Sequence, residues 1–263
     1  MPSSTSWIWN GTDFVPCSGV PAWDRGFRYG MAFFESLALR GGRVEFLQPH
    51  LARLEEACRR CVWPVDPAAL RRAGEWLQQA PGPAFARVYV TAGEGEPMGP
   101  VNVPRVFLLI EPMALPSGDN LRQVRMHPEP FLPLLGGLKT ANYWANLAAL
   151  QMARAAERDE ALLFNPRGEL ISACTANVFL ELDGQWVTPP VSTGARSGVV
   201  REWVMGRREV LERVVFRDEV QRATGGVLTS SWAGVAPVAS LDGAPLETGP
   251  GVTLRAEFLE SPL

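Results

Sequence analysis

Three turn dipeptides constrain this chain most. Asn10-Gly11, Asp183-Gly184 and Asp242-Gly243 each lie between short apolar runs. Asn or Asp followed by Gly accepts the positive φ angles of a tight hairpin turn, so each pair predicts two neighbouring antiparallel strands. β-branched and aromatic content adds strand candidates at Trp7–Trp9, Arg43–Phe46, Ala86–Thr91, Arg105–Glu111, Arg122–His127, Ala161–Phe164, Asn177–Glu181 and Val227–Thr229. Helical periodicity is rarer. Leu51, Leu54, Cys58 and Cys61 share one helical face within 49–62, and Trp63-Pro64 ends that run. Trp144, Leu147, Ala148, Met152 and Ala155 make a second stripe within 144–157, and less regular stripes cover 67–79, 198–206 and 250–259. This order is no repeating βα alternation, which disfavours a Rossmann or barrel fold and predicts an α+β protein. Met113–Asn120 (MALPSGDN) reads as a linker between a smaller N-terminal α+β domain, 1–112, and a larger C-terminal one, 121–263.

Composition removes several function classes. The 263 residues are 46% hydrophobic and 20% charged, the profile of a folded soluble protein. A net charge of −3 argues against nucleic-acid binding, which needs a concentrated positive surface. No apolar run approaches the roughly 18 residues of a membrane span. MPSSTSWIWNGTDF lacks the basic and apolar regions of a signal peptide, so a cytoplasmic location is expected. Cys17, Cys58, Cys61 and Cys174 are too irregular for a disulfide framework. With only His50 and His127 and no HExxH, no metal site is expected.

The 25 basic residues comprise 24 arginines and one lysine, Lys139. Arginine performs most surface tasks of lysine but stays charged at neutral pH. An ammonium can lose its proton when desolvated and become a nucleophile. Rarity alone leaves chance and a chemical role equally open. Lys139 follows Gly136-Gly137 and precedes Tyr143 by four residues, at the start of a predicted helix.

Other motifs read blandly. Cys58-Arg-Arg-Cys61 matches CxxC, but both cysteines fall on the apolar helix face as small hydrophobes. Gly93-Glu-Gly-Glu-Pro-Met-Gly99 misses the dinucleotide spacing, lacks the Walker lysine and carries two glutamates that repel phosphate, so it is a plain loop. Asp24-Arg-Gly-Phe-Arg-Tyr-Gly30, followed by Phe33-Phe34-Glu35-Ser36, reads on physics alone as an unusual loop and no more.

Taken in order, these segments resemble the class IV (fold type IV) pyridoxal-phosphate enzymes, which include branched-chain and D-amino-acid aminotransferases and aminodeoxychorismate lyase. The matching segments are DRGFRYG…FFES, Pro49-His-Leu-Ala-Arg-Leu54, LKTANY, Asp159-Glu-Ala-Leu-Leu163, Thr175-Ala-Asn-Val-Phe179, Val187-Thr-Pro-Pro190 with Ser197-Gly-Val-Val-Arg201, and the stretch from Leu228 to Val238. The resemblance implies a two-domain, D-amino-acid-aminotransferase-like fold with a pyridoxal 5'-phosphate cleft between domains, and a homodimer. It makes Lys139 the Schiff-base lysine and the carrier of the substrate Cα proton. It puts Arg53, Ser231 and the backbone N–H groups of Val199 and Val200 on the cofactor phosphate, and Tyr143 on the ring phenolate oxygen. Tyr29, Arg87 and Trp232 would face the substrate.

Two departures from the family pattern stand out. Ser172 occupies the place of the carboxylate that normally pairs with the pyridine nitrogen; Glu169 lies three residues earlier and would face the other side of a strand. Ala92-Gly93 replaces a frequent Arg-Gly, with Arg87 as a substitute carboxylate anchor. A serine cannot stabilise a protonated ring nitrogen by charge, so transamination should suffer more than elimination. The expected function is an aminodeoxychorismate-lyase-like elimination of pyruvate, a step of folate biosynthesis. The alternatives are aminotransfer on a small, branched-chain or D-amino acid, and a catalytically impaired binding module.

Overall fold

The computed structural model describes residues 5–261; residues 1–4 and 262–263, the outer ends of the two expected domains, lie outside the described residues. The chain divides into two compact units. The N-terminal unit runs to Leu115 and takes in Leu138–Asn142, a segment inside the sequence span 121–263. The C-terminal unit comprises Pro116–Gly137 and the chain from Tyr143 onward.

The N-terminal unit is built on strands β1 (Thr5–Trp9), β2 (Phe14–Pro16), β3 (Ala32–Arg40), β4 (Arg43–Val44), β5 (Ala84–Thr91) and β6 (Arg105–Pro112). They form one antiparallel sheet in the order β2-β1-β6-β5-β3-β4. The short helix α1 (Arg25–Tyr29) precedes β3, and α2 (Leu47–Arg60) and α3 (Pro67–Gln79) follow β4. Leu51, Leu54, Ala57 and Cys58 of α2 pack with Leu70, Ala73 and Leu77 of α3 against Phe33, Leu37, Val88 and Leu108. Each such large apolar side chain contributes roughly 1.5–3 kcal/mol on burial.

The C-terminal unit carries β7 (Arg122–Pro130), α4 (Trp144–Ala155), β8 (Glu160–Phe164), β9 (Leu170–Ala173), β10 (Asn177–Leu182), β11 (Gln185–Thr188), α5 (Val199–Met205), β12 (Val210–Glu212), α6 (Arg217–Val220), β13 (Gly225–Ser230), β14 (Gly234–Leu241), β15 (Ala244–Pro245) and α7 (Gly249–Glu260). Its mixed sheet runs β12-β11-β10-β13-β14-β7-β8-β9, with β15 paired to β14. The β14–β7 and β7–β8 pairs are parallel. Helix α4 covers Ala161, Leu163 and Cys174 with Ala149, Leu150 and Ala153. Among the described residues, no helix is long and apolar enough to cross a membrane.

All three turn dipeptides join antiparallel strands. Asp183 and Gly184 take φ of 53° and 78°, and Asp242 and Gly243 take 48° and 89°, as a type I′ turn requires.

The structure corrects the reading of 24–36 as a loop. Arg25–Tyr29 is helical, capped by the Asp24 carboxylate, and Ala32–Arg40 is an interior strand. Burial on both faces of β3 removes the alternation that would have marked it. Arg43–Phe46 is also corrected: the strand stops at Val44, and Phe46 turns into α2 with φ 51°. Glu169 forms an isolated bridge with Phe216 directly before β9, and its carboxylate pairs with Arg167 and Asn165.

Candidate active site

In the N-terminal unit, Lys139 lies on a short extended segment against the edge of β3. The Phe34 N–H donates to the Lys139 carbonyl at 3.0 Å, and the Ala141 N–H donates to the Ala32 carbonyl at 2.8 Å. The Lys139 Nζ sits 4.2 Å from the centre of the Phe34 ring, which stacks on Tyr89 at 5.3 Å. An ammonium over an aromatic face is held by the ring quadrupole.

Glu35, on the neighbouring residue of β3, is fully buried and accepts from two residues of α2. Arg53 donates through Nε and Nη2 at 2.7 and 2.5 Å, and His50 Nδ1 lies 2.7 Å away. Burial pushes the Glu35 carboxyl up, but the charge of Arg53 and the hydrogen bonds outweigh it and hold the group down to about 2. His50 lies below its ordinary value, chiefly through burial, with the charges of Arg53 and Lys139 adding to the effect. Arg53 is therefore a fixed guanidinium beside Glu35. Its five N–H donors allow a second anion alongside that carboxylate.

Arg87 pairs with Glu111 at 2.8 Å and stacks over Phe85. Tyr29 is exposed at the end of α1, under the Arg28 guanidinium.

In the C-terminal unit, the turn from β9 to β10 gathers several polar groups. Tyr143 Oη donates to the Cys174 carbonyl at 3.1 Å, and buried Asn146 donates to the same oxygen at 2.9 Å. Burial raises the Tyr143 hydroxyl; the Arg196 charge opposes this. Ser172 donates to the Ala173 carbonyl at 2.8 Å, so its oxygen offers lone pairs and no charge. Glu160 accepts from Thr175, and burial raises its carboxyl. Val199 and Val200 open α5 behind Gly198, where first-turn N–H groups lack intrahelical partners. A Cβ on Gly198 would lie 2.1 Å from Asn177 Oδ1. Ser231 is half-buried in the turn after β13, and Trp232 lies under Arg122.

The donor set of each unit fits a phosphorylated aromatic aldehyde. The N-terminal unit offers an amine over an aromatic face and a fixed guanidinium. The C-terminal unit offers helix-start N–H groups, hydroxyls, and a buried Thr229 Oγ1 that lacks a hydrogen-bond partner on β13, the strand α5 packs against. Among the described residues, no cluster of His, Cys, Asp or Glu could hold a metal. Cys58 and Cys174 are buried free thiols, and burial pushes both up to about 12, far from reactive.

Sequence reasoning missed the buried arginines. Arg25 is 1% exposed and donates to the carbonyls of Ala92, Gly93, Glu96, Gly99 and Pro100. It builds the 93–99 loop from inside. Glu35 and Arg196 were also missed as partners. Only a close look at buried positions on an unrecognised strand could have suggested Glu35.

An α+β chain with these two units has the fold type IV architecture. The chain belongs to the family described as amino-transferase class IV, whose pattern matches residues 32–241. Members of this family are pyridoxal-phosphate-dependent aminotransferases or lyases, so the protein is placed among enzymes. A solved 4-amino-4-deoxychorismate lyase from Pseudomonas aeruginosa is 30% identical, with a TM-score of 0.82 over 96% of this chain and 97% of that one. Branched-chain-amino-acid transaminase 1 of Bacillus subtilis (strain 168) is 30% identical over 257 residues, 82% of this chain and 71% of that protein. D-alanine aminotransferase of Bacillus licheniformis is 26% identical over 247 residues, 86% and 84% of the two chains.

Proposed function

We propose that the chain holds pyridoxal 5'-phosphate through Lys139 and catalyses a lyase reaction of the aminodeoxychorismate type, releasing pyruvate from an amino-chorismate substrate. The observation that carries this is the seat of the sole lysine. Lys139 is pinned by backbone hydrogen bonds to β3 with its amine over the Phe34 ring, in the neighbourhood of His50 and Arg53.

In the N-terminal unit, Lys139 binds the aldehyde carbon and Arg53 the phosphate. In the C-terminal unit, Ser231 and the N–H groups of Val199 and Val200 bind the phosphate. Tyr143 and Ser172 bind the polar atoms of the ring. The bound cofactor supplies an electron-withdrawing ring that weakens the substrate Cα–H bond. The Lys139 Nζ, once released, carries that proton. Ser172 Oγ is a neutral acceptor, which favours the reaction needing less charge delocalisation into the ring.

The second reading is aminotransfer on a branched-chain or D-amino acid, supported by the Bacillus relatives. A homodimer is supported by Trp23 and Phe27, 68% and 69% exposed around α1. A cytoplasmic location agrees with four free cysteines.

Borohydride reduction of the protein with pyridoxal phosphate should fix the cofactor mass on the Lys139 peptide, and Lys139→Ala should abolish it. Pyruvate release from aminodeoxychorismate without a keto-acid acceptor supports the lyase; product that requires an acceptor selects the transaminase. An unmodified Lys139 peptide in the native protein refutes the cofactor assignment.

A further inference from the structure

Each buried arginine among the described residues donates to several oxygen acceptors. Arg25 meets the carbonyls of its loop. Arg255 meets the carbonyls of Pro116, Gly118, Ala233 and Val235. Arg201 meets Glu202, Glu212 and the Pro189 carbonyl. Arg196 is different. It is half-buried, its Nη1 lies 3.4 Å from Tyr143 Oη, and its Cζ lies 5.1 Å from the centre of the Tyr143 ring. Both of these contacts are with a neutral phenol.

Its surroundings do not neutralise it. The Tyr143 hydroxyl beside it is raised by burial and so stays uncharged. The backbone under Arg196 is fixed. Asn177 Nδ2 donates to the Arg196 carbonyl at 2.8 Å, and the Asn177 side chain fills the space where residue 198 would carry a Cβ. A partly desolvated guanidinium on a rigid loop is prepared for a bidentate anion.

The family's frequent Arg-Gly is replaced here by Ala92-Gly93, and Arg87 is already engaged by one carboxylate. Ala92 is fully buried with its carbonyl on Arg25, and Arg87 is paired with Glu111. We propose that Arg196, backed by Tyr143, is the residue that binds a carboxylate of the substrate and so selects acidic substrates over neutral amines. This deepens the proposed function and rests on that reading for the identity of the site.

The test titrates cofactor-saturated protein calorimetrically with pyruvate and with its neutral analogue pyruvamide. The native protein should bind pyruvate at least about tenfold tighter, as a hydrogen bond between charged groups allows. Arg196→Leu should remove that preference, and Arg196→Lys should keep part of it. Equal affinities in the native protein, or a preference that survives Arg196→Leu, would overturn the assignment. Ultraviolet titration of the three tyrosines should show one of them ionising at higher pH in Arg196→Leu; an unchanged curve counts against the contact. Borohydride fixation at Lys139 is scored separately in all three proteins. Its failure in the native protein refutes the cofactor reading, while the pyruvate titration still decides the role of Arg196.

Discussion

Arg53 Nε and Nη2 meet Oε1 and Oε2 of Glu35 at 2.7 and 2.5 Å, a two-point ion pair between helix α2 and strand β3. The Glu35 side chain is 1% exposed and that of Arg53 24%. The same carboxylate receives His50, so one buried anion orients two residues of α2. Glu35→Ala leaves a guanidinium and an imidazole without their acceptor. Loss of one partner of a buried pair costs about 3–5 kcal/mol, and the partial exposure of Arg53 puts this case toward the lower end. A urea midpoint reads the loss, and Glu35→Asp should recover only part of it because the shorter side chain cannot reach both donors.

Acid should destabilise the chain in two stages. His50 has a lowered value in the fold, so the unfolded chain takes up its proton first as pH falls through about 6.5. Stability therefore declines from there downward. Glu35 is held down to about 2 against an ordinary 4.5, so its contribution is complete above 4.5 and is lost as pH falls toward 2. Denaturation midpoints measured against pH should show both declines. His50→Gln should flatten the upper one and leave the lower one in place.

Arg25 gathers the carbonyls of Ala92, Gly93, Glu96, Gly99 and Pro100. Arg25→Met removes every donor at once, and each stranded buried acceptor costs about 1–3 kcal/mol. The expected result is a loop spanning 93–100 that limited proteolysis cleaves in the variant and spares in the native protein. A cleavage pattern identical in both would show that the loop holds its form without the guanidinium.

Ser172 presents a hydroxyl that donates its hydrogen bond to the Ala173 carbonyl. If it faces the ring nitrogen, Ser172→Glu adds the charge needed to stabilise a protonated ring. Amino transfer to a keto acid should then rise by about tenfold or more, the effect of roughly 1.4 kcal/mol in the transition state. Steady-state rates with and without an acceptor measure it, and an unchanged ratio of the two reactions would remove Ser172 from the ring.

Local chemistry made part of this protein readable. Asp183-Gly184 and Asp242-Gly243 form type I′ turns because few other pairs accept two positive φ angles. Helix α2 follows the apolar stripe of Leu51 and Leu54, whereas α4 forms where expected but buries Asn146, Ala149, Leu150 and Ala153, leaving Trp144, Leu147 and Met152 of the expected stripe exposed. The segments from DRGFRYG to the stretch ending at Val238 were enough to indicate the family, and the family pattern covers residues 32–241.

Strand β3 was hidden because its residues are buried on both faces, which erases the alternation that marks a strand. The roles of the arginines were hidden for a related reason. Twenty-four of them look alike in a sequence, and their partners are distant along the chain: Arg25 with Gly93, Arg53 with Glu35, Arg196 with Tyr143. The sequence by itself determined the turns, the main helices and the presence of one amine among guanidinium groups. The tertiary structure alone decided which charges are neutralised inside the fold and that Arg196 meets a tyrosine hydroxyl, because pairing depends on distances that folding creates.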